Sequence, residues 1–525
     1  MKKLHVVGMD QLNLELHPED ATLVFIESYA ELRRRPYHKT RLAFLMTNYR
    51  HFAAECEESG RDVRYLKTQK PIHEALKELE PSQLTMVEPA ERELLQSLDD
   101  LISSGALTLL PHSGWLTTAE DLRAVEKNFF WKMDSFYRHV RKRTGVLMDG
   151  DQPVGGKFSF DTENRKPWRG DPEPPGLPEF EPDEITQEVV DLINTQFADN
   201  FGELDERNIP QHRADAQRLW EWAKNECLPL FGPYEDAMSS NEKNLFHTRI
   251  SAILNVHRLM PKRVVAEVEA LEIPIQSKEG FIRQVLGWRE FVFQIHRTTD
   301  GFRDLPIPYG QARQDAGYWE WAQKDAPNVV QDGATPSALK AHQPLPPAFW
   351  GQKSGLNCLD TVVRHVIEDA YSHHITRLMI LGNLATLLSI EPREITDWFW
   401  IAYIDSWDWV VEPNVLGMAT YGTGPLFTTK PYVAGANYIS KMSDFCDHCA
   451  FTAGKDCPVT RLYWSFLSRN QDLLADNPRL RPVIYGLKKR KGADLSKDQA
   501  VFEWTTNTLQ AGGLLKPEEM PEGKS

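Results

Sequence analysis

Hydrophobic positions follow one pattern in the first 135 residues of the chain and another in the rest. In the first part, short apolar runs alternate with longer segments of helical spacing. The apolar runs lie at residues 4–7, 22–27, 63–66, 84–87 and 107–110. Strands that alternate with helices predict a parallel sheet with helices on both faces, and therefore a Rossmann-like α/β domain over residues 1–135. A ligand of such a sheet is expected beyond the carboxyl ends of the strands.

Residues 136–184 have a different character. Gly155-Gly156 and five prolines between residues 172 and 182, interleaved with acidic residues, predict a long interdomain linker. Helical spacing dominates from residue 185 to residue 525, which predicts an all-α second domain. The clearest predicted helices span residues 185–197, 211–227, 243–259, 278–295, 359–388 and 459–474.

Composition narrows the class of protein. The net charge is −15, so a nucleic-acid site would have to be a local basic groove rather than a basic surface. Six cysteines in 525 residues are too few for a secreted disulfide scaffold. The longest apolar stretch, residues 378–390, contains Asn383 and is too short to span a bilayer. These features predict a soluble, monomeric protein of the reducing cytoplasm, with no membrane partner.

A cysteine run is the most specific local motif. Cys446, Cys449 and Cys457-Pro458 form a C-x2-C-x7-C-P pattern, in which three thiolates can converge on one metal site. Cys358 is the candidate for the fourth ligand, whereas His448 is sterically awkward between two ligands. Four thiolates suit either a zinc ion or an iron–sulfur cluster, so the pattern alone leaves both open.

His373 and His374 lie in a segment of helical spacing. Neighbouring residues on a helix point about 100° apart, so only one of the two can face a given pocket. A histidine in a cleft can donate a proton near neutral pH, although a packed histidine without a chemical role is the commoner outcome. Trp400, Trp407 and Trp409 are predicted to be core residues, because a tryptophan in a helical segment more often packs in the core than takes part in an electron relay.

Taken in order, these motifs resemble the photolyase/cryptochrome family, and more narrowly its iron–sulfur bacterial branch, the prokaryotic (6-4) photolyases. The resemblance covers essentially the whole chain. The matching segments are residues 8–12, 88–91, 155–167 and 287–291, the His373-His374-x-x-Arg377 motif, residues 413–418 and 430–432, and the cysteine run.

The resemblance implies that the α/β domain binds an antenna and that residues 185–525 bind FAD. Thr248 and Ser251 match the family's phosphate-contacting segment. Arg377, Asp405 and Asn414 match positions around the isoalloxazine ring, with Asn414 beside the redox-active flavin nitrogen.

Further roles follow from the same resemblance. His374 corresponds to the histidine that faces the DNA lesion and donates a proton, and Tyr432 lines the lesion pocket. Trp398 corresponds to the flavin-proximal residue of an electron relay, and Trp350 to a second one. The four cysteines match the ligands of a [4Fe-4S] cluster.

The antenna of this branch is 6,7-dimethyl-8-ribityllumazine, and Gln11, Glu31 and Asp10 match its contact positions. The implied function is light-driven repair of (6-4) pyrimidine–pyrimidone photoproducts in UV-damaged DNA by electron transfer from excited reduced FAD. One alternative is a blue-light photoreceptor of the same fold, which would not need His374 as a proton donor. Another is an iron–sulfur nucleic-acid-binding module without flavin, which would tolerate loss of Asn414 and Trp398.

Overall fold

The computed structural model describes residues 3–79, 84–128, 130–305 and 334–522. Its first domain contains five strands, β1 (Leu4–Val7), β2 (Thr22–Ser28), β3 (Val63–Thr68), β4 (Leu84–Val87) and β5 (Leu107–Leu110). All neighbouring pairs are parallel, and the strand order is β3-β2-β1-β4-β5. The predicted parallel α/β domain is confirmed. The order reverses between β1 and β4, which is where a crevice opens in sheets of this kind.

Side-chain alternation along the strands explains why both faces of the sheet are covered. Val6, Val24 and Ile26 point to one face and pack in a small apolar cluster. Leu23 and Phe25 point to the other face and join the main core of the protein. A parallel sheet buried on both faces requires apolar residues at consecutive strand positions, and all seven residues of β2 are buried.

Short helices connect the strands, and little regular structure follows them. The helices of this part are Tyr29–Leu32, Lys39–Glu58, Ile72–Glu78, Arg92–Ser97, Asp99–Ser103, Ala119–Arg123 and Met133–Thr144. The last of them runs past the domain boundary predicted at residue 135. A two-residue antiparallel pair, Met148–Asp149 with Gln152–Pro153, comes next. Between residues 157 and 183 the chain forms one single turn, Asp161–Glu163.

The second domain is helical. Several of its helices contain a π-helical segment and continue as one element, namely residues 213–234, 275–298, 374–387 and 408–419. The remaining helices are Glu184–Gln196, Ser251–Asn255, Pro261–Ala270, Asn357–Asp369, Pro392–Ala402, Ala436–Met442, Pro458–Arg469, Gln471–Leu474, Arg481–Lys488 and Gly492–Gln510, with single turns at Glu206–Asn208, Pro347–Trp350, Phe445–His448 and Pro517–Glu519.

Two of the predicted helices are wrong in extent. The segment 243–259 forms only the short helix Ser251–Asn255, because Leu245, Arg249 and His257 adopt positive φ angles that a right-handed helix does not allow. The predicted helix 359–388 ends at Asp369, where Ala370 adopts a φ of 52°. The chain re-enters a helix at His374, so the two adjacent histidines do not share one helical turn.

The two domains share a polar and aromatic interface. The backbone N–H of Arg92 donates to Asp408 Oδ2 at 2.6 Å, and the Arg35 guanidinium lies 3.8 Å from the ring centre of Trp400. On the first-domain side, Arg34 and Arg35 form ion pairs with Glu93 of the same domain. Within the described ranges, no helix combines the length and apolar character needed to cross a membrane.

Candidate functional site

The four cysteines of the predicted metal site lie around one cavity. Cys358 lies in the first turn of Asn357–Asp369, Cys446 lies within the single turn Phe445–His448, Cys449 directly follows that turn, and Cys457 precedes Pro458–Arg469. The other residues that line the cavity are Leu356, Ala436, Ile439, Phe445, Phe451 and Val459. Burial, with the other three sulfurs nearby, raises the pKa of Cys358 well above its usual value. The helix that carries Cys358 and the segment 446–457, which lies almost 90 residues further along the chain, thus present thiols to one apolar space.

A buried ion pair forms the centre of the helical domain. Arg377 Nη1 and Nη2 each donate to Asp405 at 3.0 Å, and Ser251 Oγ donates to Asp405 Oδ2 at 2.7 Å. Burial opposes ionisation, but the Arg377 guanidinium lowers the pKa of Asp405 below its usual value. The Arg377 guanidinium also lies 4.1 Å from the ring centre of Tyr403. Three of the predicted flavin residues are therefore in direct contact with one another.

Asn414 and Thr248 complete the predicted flavin set. Asn414 lies in the π-helical turn Glu412–Ala419 and donates from Nδ2 to the Val410 carbonyl at 2.8 Å. Among the described residues, no donor reaches its side-chain oxygen, which leaves that oxygen as an acceptor. Thr248 is buried next to Arg249, whose guanidinium lies 3.9 Å from the ring centre of Tyr371.

His374 lies at the surface of this centre. It is the first residue of the helix that continues through Arg377, and its side chain is 43% exposed. Its Nε2 atom lies 3.8 Å from Asp236 Oδ1. His373, by contrast, is buried in extended backbone immediately before the helix. The exposed histidine of the pair is therefore the one whose predicted role requires contact with a substrate.

Tyr432 lies among charged side chains of both signs. Burial raises its pKa, the charges of Asp161 and Asp134 act in the same direction, and those of Arg479 and Arg165 oppose it. Burial, with a smaller contribution from the same two arginines, lowers the pKa of Lys430. Arg165 Nε also lies 3.8 Å from Asp236, the neighbour of His374. Tyr432 and His374 are thus both near Arg165.

The basic run at residues 488–491 is partly occupied by internal contacts. Arg490 forms an ion pair with Asp498 at 2.7 Å and lies 4.6 Å from the ring centre of Trp464. Lys489 lies 4.4 Å from the ring centre of Tyr485.

Trp398 is buried in the helix Pro392–Ala402. Its ring makes edge contacts with Phe349 at 5.6 Å, Phe399 at 5.2 Å and Tyr403 at 6.0 Å. Trp350 directly follows Phe349 and contacts Phe201 at 5.2 Å. Phe349, the residue before Trp350, therefore contacts Trp398, and Trp350 itself is more exposed than Trp398.

The predicted antenna residues lie at the carboxyl edge of the sheet. Gln11 donates from Nε2 to the Val87 carbonyl at 3.0 Å, and Asp10 Oδ2 accepts from the Ala90 N–H at 3.2 Å. Glu31 pairs with Arg34, which also lies 3.5 Å from Glu91. The end of β4 and the loop after it therefore contact Gln11 and Asp10 directly, and Glu31 through Arg34. This loop lies where the strand order reverses.

Asp10 gives this crevice a pH-dependent stability. Burial raises its pKa to about 6, so the folded state has to hold an unfavourable carboxylate above that pH. Asp10→Asn is expected to raise the free energy of unfolding above pH 6 by up to about 3 kcal/mol. The difference in the free energy of unfolding between the variant and wild type should fall steadily between pH 6 and pH 4, where the wild-type carboxyl becomes protonated. Thermal unfolding across this range measures it, with Asp20→Asn, at a carboxylate that is 75% exposed, as the control. An unchanged melting temperature at pH 8 would contradict the expectation.

Comparison with solved structures identifies the class of fold. An archaeal photolyase from Sulfolobus tokodaii superposes with a TM-score of 0.52 at 13% identity, covering 95% of this chain and 99% of that one. A cryptochrome from Synechocystis sp. PCC6803 gives 0.53 at 14% identity, covering 95% and 94%. The α/β and helical domains therefore have the fold of photolyases and cryptochromes.

Sequence comparison identifies the family. A family model described as deoxyribodipyrimidine photo-lyase-related protein matches residues 6–209. A (6-4) photolyase from Agrobacterium fabrum is 34% identical, over 95% of this chain and 97% of its own length. The chain belongs to the photolyase/cryptochrome family. The predictions of family, fold class and a photolyase as the enzyme class are confirmed.

Sequence reasoning missed two residues near His374. Asp236 and His247 lie more than 120 positions before it and belong to no motif that was singled out. Only the folded chain brings them to His374, because the loop 235–250 packs against the start of its helix.

Proposed function

We propose that this protein repairs (6-4) pyrimidine–pyrimidone photoproducts in DNA with the energy of light. The observation that supports this most directly is the position of His374. It is an exposed proton donor, three residues before the Arg377 that forms the buried pair with Asp405. A photoreceptor of the same fold would need the buried centre but no proton donor at its surface.

FAD is the proposed cofactor, and the side chains present fit it. Asn414 offers an acceptor oxygen, and the Arg377–Asp405 pair offers fixed charges next to the aromatic face of Tyr403. When bound and reduced, FAD supplies the electron that light makes available for transfer to the lesion. The protein residues fix orientation and electrostatics around that step.

Lesion binding is assigned to the region between His374 and Tyr432. A damaged dinucleotide is cheap to unstack, and flipping it out of the duplex would bring it against these two side chains. Lys430, Arg479 and Arg165 are the proposed contacts to the flanking phosphates, since a local basic cluster can bind DNA despite a net charge of −15. His374 would then donate its proton to the bound base.

A [4Fe-4S] cluster is the proposed occupant of the cysteine cavity. Tetrahedral zinc with bonds of about 2.3 Å would hold its sulfurs about 3.8 Å apart. Within the described ranges, three ligand atoms lie within 4.8 Å of one another only at His247, His373 and His374, so the four sulfurs are more widely spread. A cluster contains several metal atoms and needs that wider spacing. Its proposed role is structural, because it joins three separate elements.

For the α/β domain we propose a 6,7-dimethyl-8-ribityllumazine antenna held by Gln11, Asp10 and Glu31. Their place at the reversal of strand order supports a ligand there.

The proposed relay gives a further prediction. Trp398→Phe is expected to slow flavin photoreduction at least tenfold, because phenylalanine is far harder to oxidise than tryptophan. Repair by chemically pre-reduced enzyme should stay near the wild-type rate. Trp400→Phe is the matched control, since Trp400 is a buried tryptophan on the same helix that packs under Arg35. Unchanged photoreduction in Trp398→Phe would place the relay elsewhere.

The experiment that tests the proposed function is light-dependent repair of an oligonucleotide that contains one (6-4) photoproduct. Reduced protein should repair it under blue light and not in the dark.

A further inference from the structure

His374 is part of a cluster of three imidazoles and one carboxylate. The rings of His247 and His373 are buried and stacked, with centres 4.2 Å apart and planes inclined by 10°. The His374 ring meets His247 edge-on at 5.4 Å. On the other side, Asp236 Oδ1 lies 3.8 Å from His374 Nε2, and the Asp236 side chain is only 22% exposed.

The stacked pair is unsuited to a metal ion. A metal bound to an imidazole lies near the plane of the ring, and two nearly parallel planes about 4 Å apart have no common position for one ion at about 2 Å from both nitrogens. Burial lowers the pKa of both His247 and His373 well below the usual value, so both rings are neutral. They therefore form an uncharged wall behind His374.

The charged groups around His374 are few. Glu235, next to Asp236, is buried against Arg283 and accepts from Asn164 Nδ2 at 2.8 Å. Burial raises the pKa of Glu235, and the nearby charges of Arg283 and His374 oppose that rise, so Glu235 is a second carboxyl group that interacts with His374. Among the cations, Arg377 forms an ion pair with Asp405, and Arg165 lies 3.8 Å from Asp236. Asp236 is the carboxylate that the described structure places within ion-pair range of His374.

We propose that Asp236 is a positioning residue that keeps the His374 imidazole protonated until a lesion is bound. This inference rests on the proposed role of His374 in repair. A carboxylate at 3.8 Å favours the imidazolium form by direct attraction, which solvent at the exposed side of His374 screens only in part. Removal of the Asp236 charge should therefore reduce the protonated fraction of His374 at alkaline pH and leave it unchanged at acidic pH.

The test compares Asp236→Asn with wild type in light-dependent repair by pre-reduced enzyme between pH 5.5 and pH 9. For a partly exposed pair, the alkaline decline of the variant should begin at lower pH, which gives about a threefold loss of repair rate on that limb. The acidic limb should not change, and Asp236→Glu should restore the wild-type profile. Asp161→Asn is the matched control, because Asp161 also pairs with Arg165 but is not paired with His374.

Superposed pH profiles of wild type and Asp236→Asn would overturn the inference. So would an equal loss at every pH, since that pattern indicates a structural role. The His374 ring can also be titrated by NMR in histidine-labelled protein, with its signal assigned by loss in His374→Ala. A lower midpoint in Asp236→Asn would support the inference even if wild type repaired no lesion, in which case the proposed function alone would fail.

Discussion

The light-dependent repair rate of His374→Ala should be at least about 100-fold lower than that of wild type, since general acids typically contribute rate factors of about 10²–10⁴. Its FAD content and its flavin photoreduction should remain at wild-type levels. The His374 side chain is 43% exposed, and its contacts include edge contacts with His247 and His373 and the ion pair with Asp236. Removal of so exposed a ring leaves no buried cavity and should change stability by less than about 1 kcal/mol.

The measurement is a repair time course with pre-reduced enzyme under saturating light, so that photoreduction does not limit the rate. His342→Ala, the same change at another exposed histidine, is the control. Repair by His374→Ala within a few-fold of wild type would remove the proton-donor role. Loss of bound flavin together with repair would show instead that His374 supports the fold.

Cys449→Ser should remove most of the iron and most of the soluble protein. Its sulfur and the three others form the polar lining of an otherwise apolar cavity that joins the start of Asn357–Asp369 to the start of Pro458–Arg469. Without a cluster, these helix ends lose their common attachment, and metal binding of this kind contributes directly to folding. We expect a destabilisation of several kcal/mol, which is about the upper range for a single substitution.

Iron and zinc contents of the purified proteins measure this prediction, together with thermal unfolding. Cys56→Ser is the control, because Cys56 is a fully buried free cysteine in the helix Lys39–Glu58, away from the cavity, whereas Cys449 is only partly buried. A normal iron content in Cys449→Ser would contradict the ligand assignment. Zinc in place of iron in the wild-type protein would contradict the cluster itself.

The strands were predictable because each is a short apolar run, and a parallel sheet buries both faces of such a run. The helical domain was predictable in type but not at every boundary. Leu245, Arg249 and Ala370 give no warning of their positive φ angles, since none is glycine. The angle at Ala370 ends the preceding helix, and His373 then lies in extended backbone before the helix that begins at His374.

Some residues of the candidate site could be predicted from the sequence, and others could not. The cysteines and the His373-His374-x-x-Arg377 motif are local patterns, so the sequence alone singled them out. Asp236 and Lys430 are ordinary charged residues whose roles depend on which other charges the fold places around them. The triple arginine at 33–35 looks like an exposed basic run, yet Arg34 and Arg35 are turned inward toward Glu93 and Trp400.

The most direct test of the proposed function uses two duplex oligonucleotides, one with a single (6-4) photoproduct and one with a cyclobutane dimer at the same site. Pre-reduced protein is mixed with each, and repair is followed under blue light and in the dark. The proposal predicts restoration of the (6-4) substrate in the light only, with little change in the cyclobutane substrate. Flavin photoreduction without repair of the (6-4) lesion would contradict it and would favour a photoreceptor of the same fold.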